Sequence, residues 1–255
     1  MQSYNLTKDM VTKNDIKLYR SLKQKKFRKE YQLFVVEGKK GVEEAIKSKL
    51  KIEAILSSDK NFSLNQPKAE IVSQKDISTI SSLKNAPDTL CIVHYPKYQK
   101  LDVNSLKDEL ILILDDLQDP GNLGTIIRIA DWYGIKNIIC SNETVDQYNS
   151  KTIQATMGSY ARINLHYTDL EEFLPEYKNT CQLPVYATLL EGENIYNAEL
   201  SKNGAIIIGN EGNGISSSIK KISTNRITIP KFGKAESLNA GIATAIVCSE
   251  FRRTI

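Results

Sequence analysis

Residues 110–124 read LILILDDLQDPGNLG, and this stretch decides the fold class of the second part of the chain. The unbroken apolar run from Leu110 to Leu114 is typical of a strand that is buried on both faces, as in a parallel sheet. The chain then turns through Pro120-Gly121, and the apolar spacing from Leu123 onward predicts a helix. A strand that leads directly into a helix is the repeating unit of an α/β domain.

Strands and helices keep alternating after this stretch, which predicts a mostly parallel sheet with helices on both faces. After 110–114, the predicted strands are 137–140, 184–189, 205–209 and 226–229. The predicted helices are 123–133, 150–157, 169–177, 216–222 and 238–251. The pattern by itself favours an ordinary open sheet, because chains rarely thread their own loops.

The first part of the chain predicts a smaller α/β unit. Its predicted helices are 14–30, 39–50 and 74–83, and its predicted strands are 33–37, 52–56, 69–72 and 90–94. Residues 1–12 are polar and without periodicity, as expected of a tail. A second polar stretch at 96–107 is the predicted linker. We therefore expect two domains, 1–95 and 108–255, joined by residues 96–107.

Positive charge is concentrated in the first part. Residues 1–105 contain 20 Lys and Arg against 12 Asp and Glu, a net charge of +8, whereas residues 106–255 have a net charge of −4. Many of these cations fall in the first predicted helix, and such a cluster is typical of a contact with the phosphate backbone of a nucleic acid. A solvated helix face is the structural alternative. The basic residues are Lys13, Lys17, Arg20, Lys23, Lys25, Lys26, Arg28 and Lys29.

Composition excludes several classes of protein. No apolar run approaches the roughly 20 residues that a membrane helix requires, and the N-terminus lacks the apolar core of a signal peptide, so a cytoplasmic location is expected. The four cysteines are scattered and form no Cys-x-x-Cys pair. They indicate neither a disulfide framework nor a zinc site, and no metal is expected. These cysteines are Cys91, Cys140, Cys181 and Cys248.

Three segments contain the candidate chemistry, and each closes a short apolar run. The first is Asp119-Pro120-Gly121-Asn122-Leu123-Gly124 followed by Arg128, the second is Gly209-Asn210-Glu211-Gly212-Asn213-Gly214, and the third is Ile229-Pro230 with Ser237-Leu238-Asn239. Any one of them is common, whereas all three in this order are specific.

Together the three segments resemble the motifs of the SpoU/TrmH family of RNA ribose 2′-O-methyltransferases, over residues 110–253. A looser resemblance, around residues 34–45, links the first part to the substrate-binding domain that often precedes this catalytic domain. The resemblance implies a C-terminal trefoil knot, S-adenosylmethionine as cofactor, and a homodimer that buries its last helix against the partner. The implied substrate is structured RNA, either ribosomal or transfer RNA, with ribosomal RNA favoured. An RNA-binding relative without turnover and a base methyltransferase remain open alternatives.

The resemblance also assigns roles residue by residue. It implies catalytic roles for Asn122, Arg128, Glu211, Ser237 and Asn239, and cofactor contacts for Leu189, Gly209, Asn210, Ile229 and Leu238.

Four of the five catalytic assignments have a structural alternative. Asn122 is a candidate cap for its helix, and Ser237 is a candidate cap for the last helix. Arg128 would pair with Asp131 on the surface. Glu211 would cap its own loop, as turn carboxylates often do.

Two features of the segments suggest what they bind. The glycines of the second segment allow a ligand to approach the backbone closely. Because Glu211 would repel a phosphate, a nucleoside with a positive sulfonium is the better ligand. Arg128 lies off the buried stripe predicted at Leu123, Ile126, Ile127 and Ala130. Its guanidinium would clamp a phosphate and lower the pKa of a neighbouring hydroxyl, with action as a general base the second possibility. The predicted apolar face of the last helix is Leu238, Ile242, Ala245 and Ile246.

Overall fold

The computed structural model describes residues 11–48, 50–66, 68–96 and 101–253. The chain divides into two compact units. Of the described residues, the first unit contains those up to Pro96 together with Tyr148–Ser150, and the second contains those from Leu101 to Gln147 and from Lys151 to Arg253. No helix among the described residues is both long enough and apolar enough to span a membrane.

The first unit is a four-stranded sheet with helices packed against it. Its strands are β1 Leu33–Glu37, β2 Ile52–Ser57, β3 Ala69–Ile71 and β4 Thr89–His94, in the order β1-β4-β2-β3. β4 is antiparallel to both of its neighbours, and β3 is parallel to β2. The helices are α1 Lys13–Ser21, α2 Lys25–Tyr31, α3 Lys39–Lys47, α4 Lys60–Asn65 and α5 Gln74–Ile80. The prediction of one helix over 14–30 was therefore wrong, and α4 was not predicted.

Arg28 explains why the first predicted helix is divided. Its side chain is buried, and Nη1 donates hydrogen bonds to the carbonyl oxygens of Leu22 (2.8 Å) and Lys23 (2.9 Å), which lie in the turn between α1 and α2. Arg28 therefore holds this turn, and its assignment to the phosphate-binding surface was wrong. The other basic residues of the run are exposed and have no ion-pair partner within the described ranges: Lys13, Lys17, Arg20, Lys23, Lys25, Lys26 and Lys29.

The second unit is a six-stranded, fully parallel sheet, as the alternating pattern predicted. Its strands are β5 Leu110–Leu114, β6 Asn137–Ser141, β7 Asn164–Thr168, β8 Val185–Asn194, β9 Gly204–Ile208 and β10 Asn225–Thr228, in the order β10-β8-β9-β5-β6-β7. The helices are α6 Pro120–Trp132, α7 Ser150–Thr156, α8 Leu170–Cys181, α9 Ser217–Ile222 and α10 Ala240–Arg252, and short 3-10 helices cover Val103–Leu106 and Ser159–Ala161. β7 was not predicted, because this edge strand buries only Leu165 fully and has no apolar run.

The central strand β5 explains the apolar run at 110–114. Leu112 and Leu114 pack into the core that α6 and α10 cover, whereas Ile111 and Ile113 pack into the core that α8 covers on the opposite face. Successive side chains of a strand point to opposite faces, so a strand buried on both faces must be apolar at every position.

β5 and β9 bring the first two motif segments together. The two strands pair with Leu114 opposite Ile208, and the backbone N–H of Asp115 donates to the carbonyl oxygen of Ile208 (2.9 Å). The segments that follow these strands therefore begin side by side at the carboxyl edge of the sheet. The strand order reverses at this point, and open α/β sheets bind ligands where it does.

β8 is interrupted at the same edge. Between Arg226 and Ile227 of β10, the partner on β8 changes from Ala187 to Glu193, so residues 188–192 leave the ladder. Leu189 lies in this interruption. The trefoil knot implied by the family resemblance stays a prediction, because strand order does not describe how the chain threads.

Candidate active site

The first turn of α6 presents Asn122 to the other motif segments. Asp119 is the N-cap, and its Oδ1 accepts a hydrogen bond from the backbone N–H of Asn122 (2.8 Å). Pro120 occupies the first helical position, where a residue without an N–H is tolerated best. The prediction that Asn122 caps the helix was wrong, and the sequence signal for the true cap is an Asp directly before Pro. The Asn122 side chain is buried and remains available for other contacts.

The Asn122 amide joins the three motif segments. Nδ2 of Asn122 donates to Oε1 of Glu211 (2.9 Å), and Oδ1 of Asn122 accepts from Nδ2 of Asn239 (2.7 Å). A carboxylate only accepts hydrogen bonds, so the orientation of the Asn122 amide follows from its partner. Oδ1 of Asn239 accepts in turn from the backbone N–H groups of Gly241 (2.9 Å) and Ile242 (3.2 Å), which begin α10. We call the residues Asn122, Glu211 and Asn239 the polar chain.

Glu211 is held from the side of the first segment. Its carboxylate also accepts from the backbone N–H groups of Gln118 (3.2 Å) and Asp119 (3.1 Å). Partial burial raises the pKa of Glu211, but the hydrogen bonds from Asn122, Gln118 and Asp119 outweigh this effect, and the net pKa lies below its usual range. At neutral pH Glu211 is therefore ionised, and it serves as a hydrogen-bond acceptor that fixes Asn122. No sequence pattern pointed to the backbone contribution of Gln118.

The glycine-rich loop after β9 is folded tightly on itself. A Cβ on Gly209 would lie 2.3 Å from the carbonyl carbon of Gly214, so only glycine fits there. Oδ1 of Asn210 accepts from the backbone N–H groups of Gly212 and Asn213 (2.9 Å each), and its Nδ2 donates to the carbonyl oxygen of Asp116 (2.7 Å). The Asn210 side chain thus shapes the loop, and the backbone N–H and C=O of Asn210 pair with the backbone of Gly214 (3.0 Å each). The cofactor contact predicted for Asn210 stays a prediction.

Three of the predicted cofactor residues lie on or directly after neighbouring strands. Leu189 lies in the interruption of β8, and Gly209 and Ile229 directly follow β9 and β10. All three are partly buried, whereas Leu238 is 49% exposed. Partly covered apolar side chains beside a glycine-rich loop fit a nucleoside, which needs apolar surface and close backbone approach. Within the described part of the chain, no group of three or more His, Cys, Asp or Glu is placed to hold a metal ion.

The start of α10 differs from its prediction. Asn239 caps the helix, and Ser237 is exposed, with no side-chain hydrogen bond to any described residue. The predicted apolar face was also wrong, because Leu238 and Ile242 are about half exposed (49% and 55%). A second stripe at helical spacing faces the core instead, and its small residues allow α6 to approach closely. This buried stripe is Ala240, Gly241, Thr244, Val247, Cys248 and Phe251.

Arg128 stands apart from the polar chain. It lies six residues after Asn122 on α6, about 9 Å farther along the helix axis, and its side chain is exposed. The buried stripe predicted for this helix is confirmed, and Arg128 lies outside it. The predicted pairing with Asp131 was wrong, because Asp131 accepts from Arg162 (2.8 Å). Arg128 has no hydrogen-bond or ion-pair partner in the described ranges.

The structure thus gathers three of the five predicted catalytic residues in the polar chain and leaves two outside it. Asn122, Glu211 and Asn239 are linked by direct hydrogen bonds. Arg128 and Ser237 face solvent. Such an arrangement fixes a polar platform at the edge of the sheet and leaves a cation and a hydroxyl to meet a ligand.

Comparison with known proteins matches each of the two parts of the chain to a known domain family. Residues 109–249 match the SpoU rRNA Methylase family, and residues 13–90 match the MRM3-like substrate binding domain. The 23S rRNA (guanosine(2553)-2'-O)-methyltransferase RlmP of Bacillus subtilis is 30% identical over 242 residues, which cover 93% of this chain and 95% of that protein.

Solved structures extend the likeness over nearly the whole chain. An AdoMet-bound rRNA methyltransferase from Sinorhizobium meliloti is 30% identical, with a TM-score of 0.84 over 97% of this chain and 98% of that one. The SpoU methyltransferase AviRb from Streptomyces viridochromogenes shares the fold at 19% identity, with a TM-score of 0.83 over 95% of this chain and 98% of its own. With its three motif segments in order and matches over both parts, the chain belongs to the SpoU rRNA methylase family and has an MRM3-like substrate-binding domain at its N-terminus.

Proposed function

We propose that this protein transfers the methyl group of S-adenosylmethionine to the 2′-hydroxyl of a ribose in ribosomal RNA, in the cytoplasm. The observation that carries the proposal is the polar chain, since it unites all three motif segments around Asn122. The names of two relatives support it further. RlmP of Bacillus subtilis is named as a 23S rRNA 2′-O-methyltransferase, and the Sinorhizobium meliloti structure is that of an AdoMet-bound rRNA methyltransferase.

The chemistry of the reaction indicates what the cofactor supplies and what the protein must supply. When bound, the cofactor supplies a methyl group that is already electrophilic, so the protein must align the ribose oxygen and assist loss of its proton. The Gly209 loop with Leu189, Ile229 and Leu238 would hold the cofactor. The polar chain would fix the adjoining surface, on which Ser237 can contact the ribose.

Two obvious candidates for a general base fit the reaction poorly. Glu211 has a lowered pKa and its carboxylate is occupied by the Asn122 amide and two backbone N–H groups. His166 lies on β7, at the edge of the sheet opposite β10. We infer that Arg128 assists instead, by binding the phosphate next to the target ribose and lowering the pKa of the 2′-hydroxyl through its charge.

Positive charge on the first unit supports RNA as the substrate. Lys17, Arg20 and Lys23 lie together around the turn that Arg28 holds, and they line a small surface cleft with Ser21 and Gln24. All three cations are exposed and unpaired within the described residues. We propose that this corner contacts RNA phosphates.

An exposed apolar face on the second unit supports a homodimer. α6 and α10 run side by side in the same direction, because Gly241 lies against Thr125 and Nε of Arg252 donates to the carbonyl oxygen of Tyr133 (3.2 Å). Their outer faces expose Trp132 (84%) and Ile242 (55%). A patch that contains several large exposed apolar groups marks an interaction surface. We propose that a second copy covers this face, beside Arg128.

The proposed reaction is tested with rRNA extracted from a strain of the source organism that lacks the gene. Incubation with the protein and methyl-labelled S-adenosylmethionine should place the label in 2′-O-methylnucleosides after digestion, at the same rate with and without EDTA. Label in a methylated base would assign the protein to base methylation instead. Binding of RNA and cofactor without transfer would identify a relative that has lost turnover.

Arg128→Ala should lower kcat by about a hundredfold or more, the usual loss when a preorganised electrostatic contact is removed. The thermal midpoint and the cofactor Kd from calorimetry should stay unchanged, because the side chain is exposed and unpaired. Arg128→Lys keeps the charge, so a phosphate clamp predicts partial recovery and a bidentate or proton-abstracting role predicts little. Arg226→Ala, an exposed arginine on β10, is the matched control. Normal turnover by Arg128→Ala would refute the assignment.

Replacing Lys17, Arg20 and Lys23 with Gln should weaken rRNA binding and flatten its salt dependence, by about 0.9 in the log–log slope for each duplex phosphate that the side chains neutralise. Filter binding at several salt concentrations measures this slope. The cofactor Kd should not change. A control variant with Lys136, Lys202 and Lys221 changed to Gln removes the same charge from the second unit. Equally weakened binding in the two variants would contradict a phosphate-binding surface on the first unit.

Ile242→Asp should shift the protein from dimer to monomer in light scattering, since burying Ile contributes about 1.5–3 kcal/mol and a buried carboxylate would be unpaired. Leu64→Asp, which changes a 79% exposed residue on α4 of the first unit, should leave the mass unchanged. A wild-type protein of monomeric mass, or an unaltered mass for Ile242→Asp, would argue against this interface.

A further inference from the structure

Phe232 is the most exposed large apolar side chain among the described residues, at 97%. It lies in the loop of residues 229–238, between the end of β10 and the cap of α10. A phenyl ring that contacts almost nothing contributes little to the fold, so packing does not account for it. Two cationic residues flank it, and we call Lys231, Phe232 and Lys234 the loop platform.

The loop platform combines an exposed ring with two free cations. Lys231 and Lys234 are exposed and have no ion-pair partner within the described ranges. Glu236, farther along the same loop, leaves the loop with a net positive charge on a unit whose overall charge is negative. Proteins that bind single-stranded nucleic acid combine aromatic rings, on which bases stack, with cations that follow the backbone.

Both ends of the loop are anchored next to the candidate active site. Before the loop, Ile227 is 2% exposed, and the carbonyl oxygen of Thr228 accepts from the backbone N–H of Ile195 (3.0 Å). After the loop, Asn239 caps α10 and donates to Asn122 in the polar chain. Phe232 precedes Ser237 by five residues, so their Cα atoms are at most about 18 Å apart.

We propose that Phe232 stacks on a nucleobase of the RNA substrate, at or beside the target nucleotide, while Lys231 and Lys234 contact the flanking phosphates. The proposal rests on the proposed RNA methylation and names a positioning surface for it. The base must be unpaired to expose its face, so the loop platform selects a target in a single-stranded loop or bulge. Stacking is tolerant of sequence, so this contact would strengthen RNA binding at the site without selecting the identity of the base.

The test compares ring variants on rRNA extracted from a strain that lacks the gene. Phe232→Ala and Phe232→Leu should each raise the KM for rRNA by about tenfold, the loss expected for one base–aromatic stack. Phe232→Tyr should stay close to wild type, because it keeps the ring. The kcat and the cofactor Kd should not change. Tyr196→Ala, which removes a 49% exposed aromatic ring elsewhere on the second unit, is the matched control.

Two further measurements separate stacking from other contacts. Phe232→Trp adds an indole to a chain that has a single Trp, and rRNA should quench the added fluorescence whereas S-adenosylmethionine alone should not. Replacing Lys231 and Lys234 with Gln should lower the log–log salt slope of rRNA binding by about 0.7 for each single-strand phosphate that the two lysines neutralise.

Several outcomes would contradict the proposed role of the loop platform. Phe232→Leu with a wild-type KM would show that the π face is not used. Quenching by the cofactor alone would assign the ring to the cofactor, and a changed molecular mass for Phe232→Ala would assign it to a second copy of the chain. In each case a wild-type protein that still methylates rRNA leaves the proposed function standing. If the wild-type protein transfers no methyl group to rRNA, the proposed function itself is wrong.

Discussion

The buried amide of Asn122 is the contact on which the candidate site depends. It donates to Glu211 and accepts from Asn239, so one side chain fixes segments that are far apart along the chain. A buried polar group that loses its partner costs about 1–3 kcal/mol, which makes this geometry strongly specified. Each partner is also tied to a backbone, Glu211 to the turn before α6 and Asn239 to the first turn of α10. The site is thus assembled by the same hydrogen bonds that position its helices.

The sheet explains why this amide can reach both partners. β5 and β9 are adjacent, which brings the first two segments together at the carboxyl edge. β10 is separated from β9 by β8, so the strand order alone leaves the third segment at a distance. The packing of α10 on α6 brings its start back to Asn122, and Gly241 allows this approach, since a Cβ there would lie 3.0 Å from Cγ2 of Thr125. Strand pairing therefore brings the first two segments together, and helix packing adds the third.

The site divides its polar groups into two kinds. The groups of the polar chain satisfy one another and form a rigid surface, whereas the side chains of Arg128, Ser237 and the loop platform make no hydrogen bond or ion pair with the described residues. Preorganised groups stabilise developing charge without reorganising, and exposed cations attract a charged ligand. Under the proposed function the substrate is a large polyanion, and it would complete the part of the site that has no partners within the protein.

The sequence by itself determined the fold class and the family. An apolar run such as 110–114 must be buried on both faces, and three ordered motif segments are too specific to arise by accident. The helix ends predicted from the local sequence were wrong in two places. Asp119 and not Asn122 caps α6, and Asn239 and not Ser237 caps α10, which starts at Ala240. α10 carries two stripes at helical spacing, and only packing against α6 decided which one is buried. The polarity of Arg28 predicted a solvent contact, but the carbonyl groups of the α1–α2 turn bind it in the interior. The tertiary structure alone decided these points, because hydrogen-bond partners distant in sequence leave no periodic signal in the residues that need them.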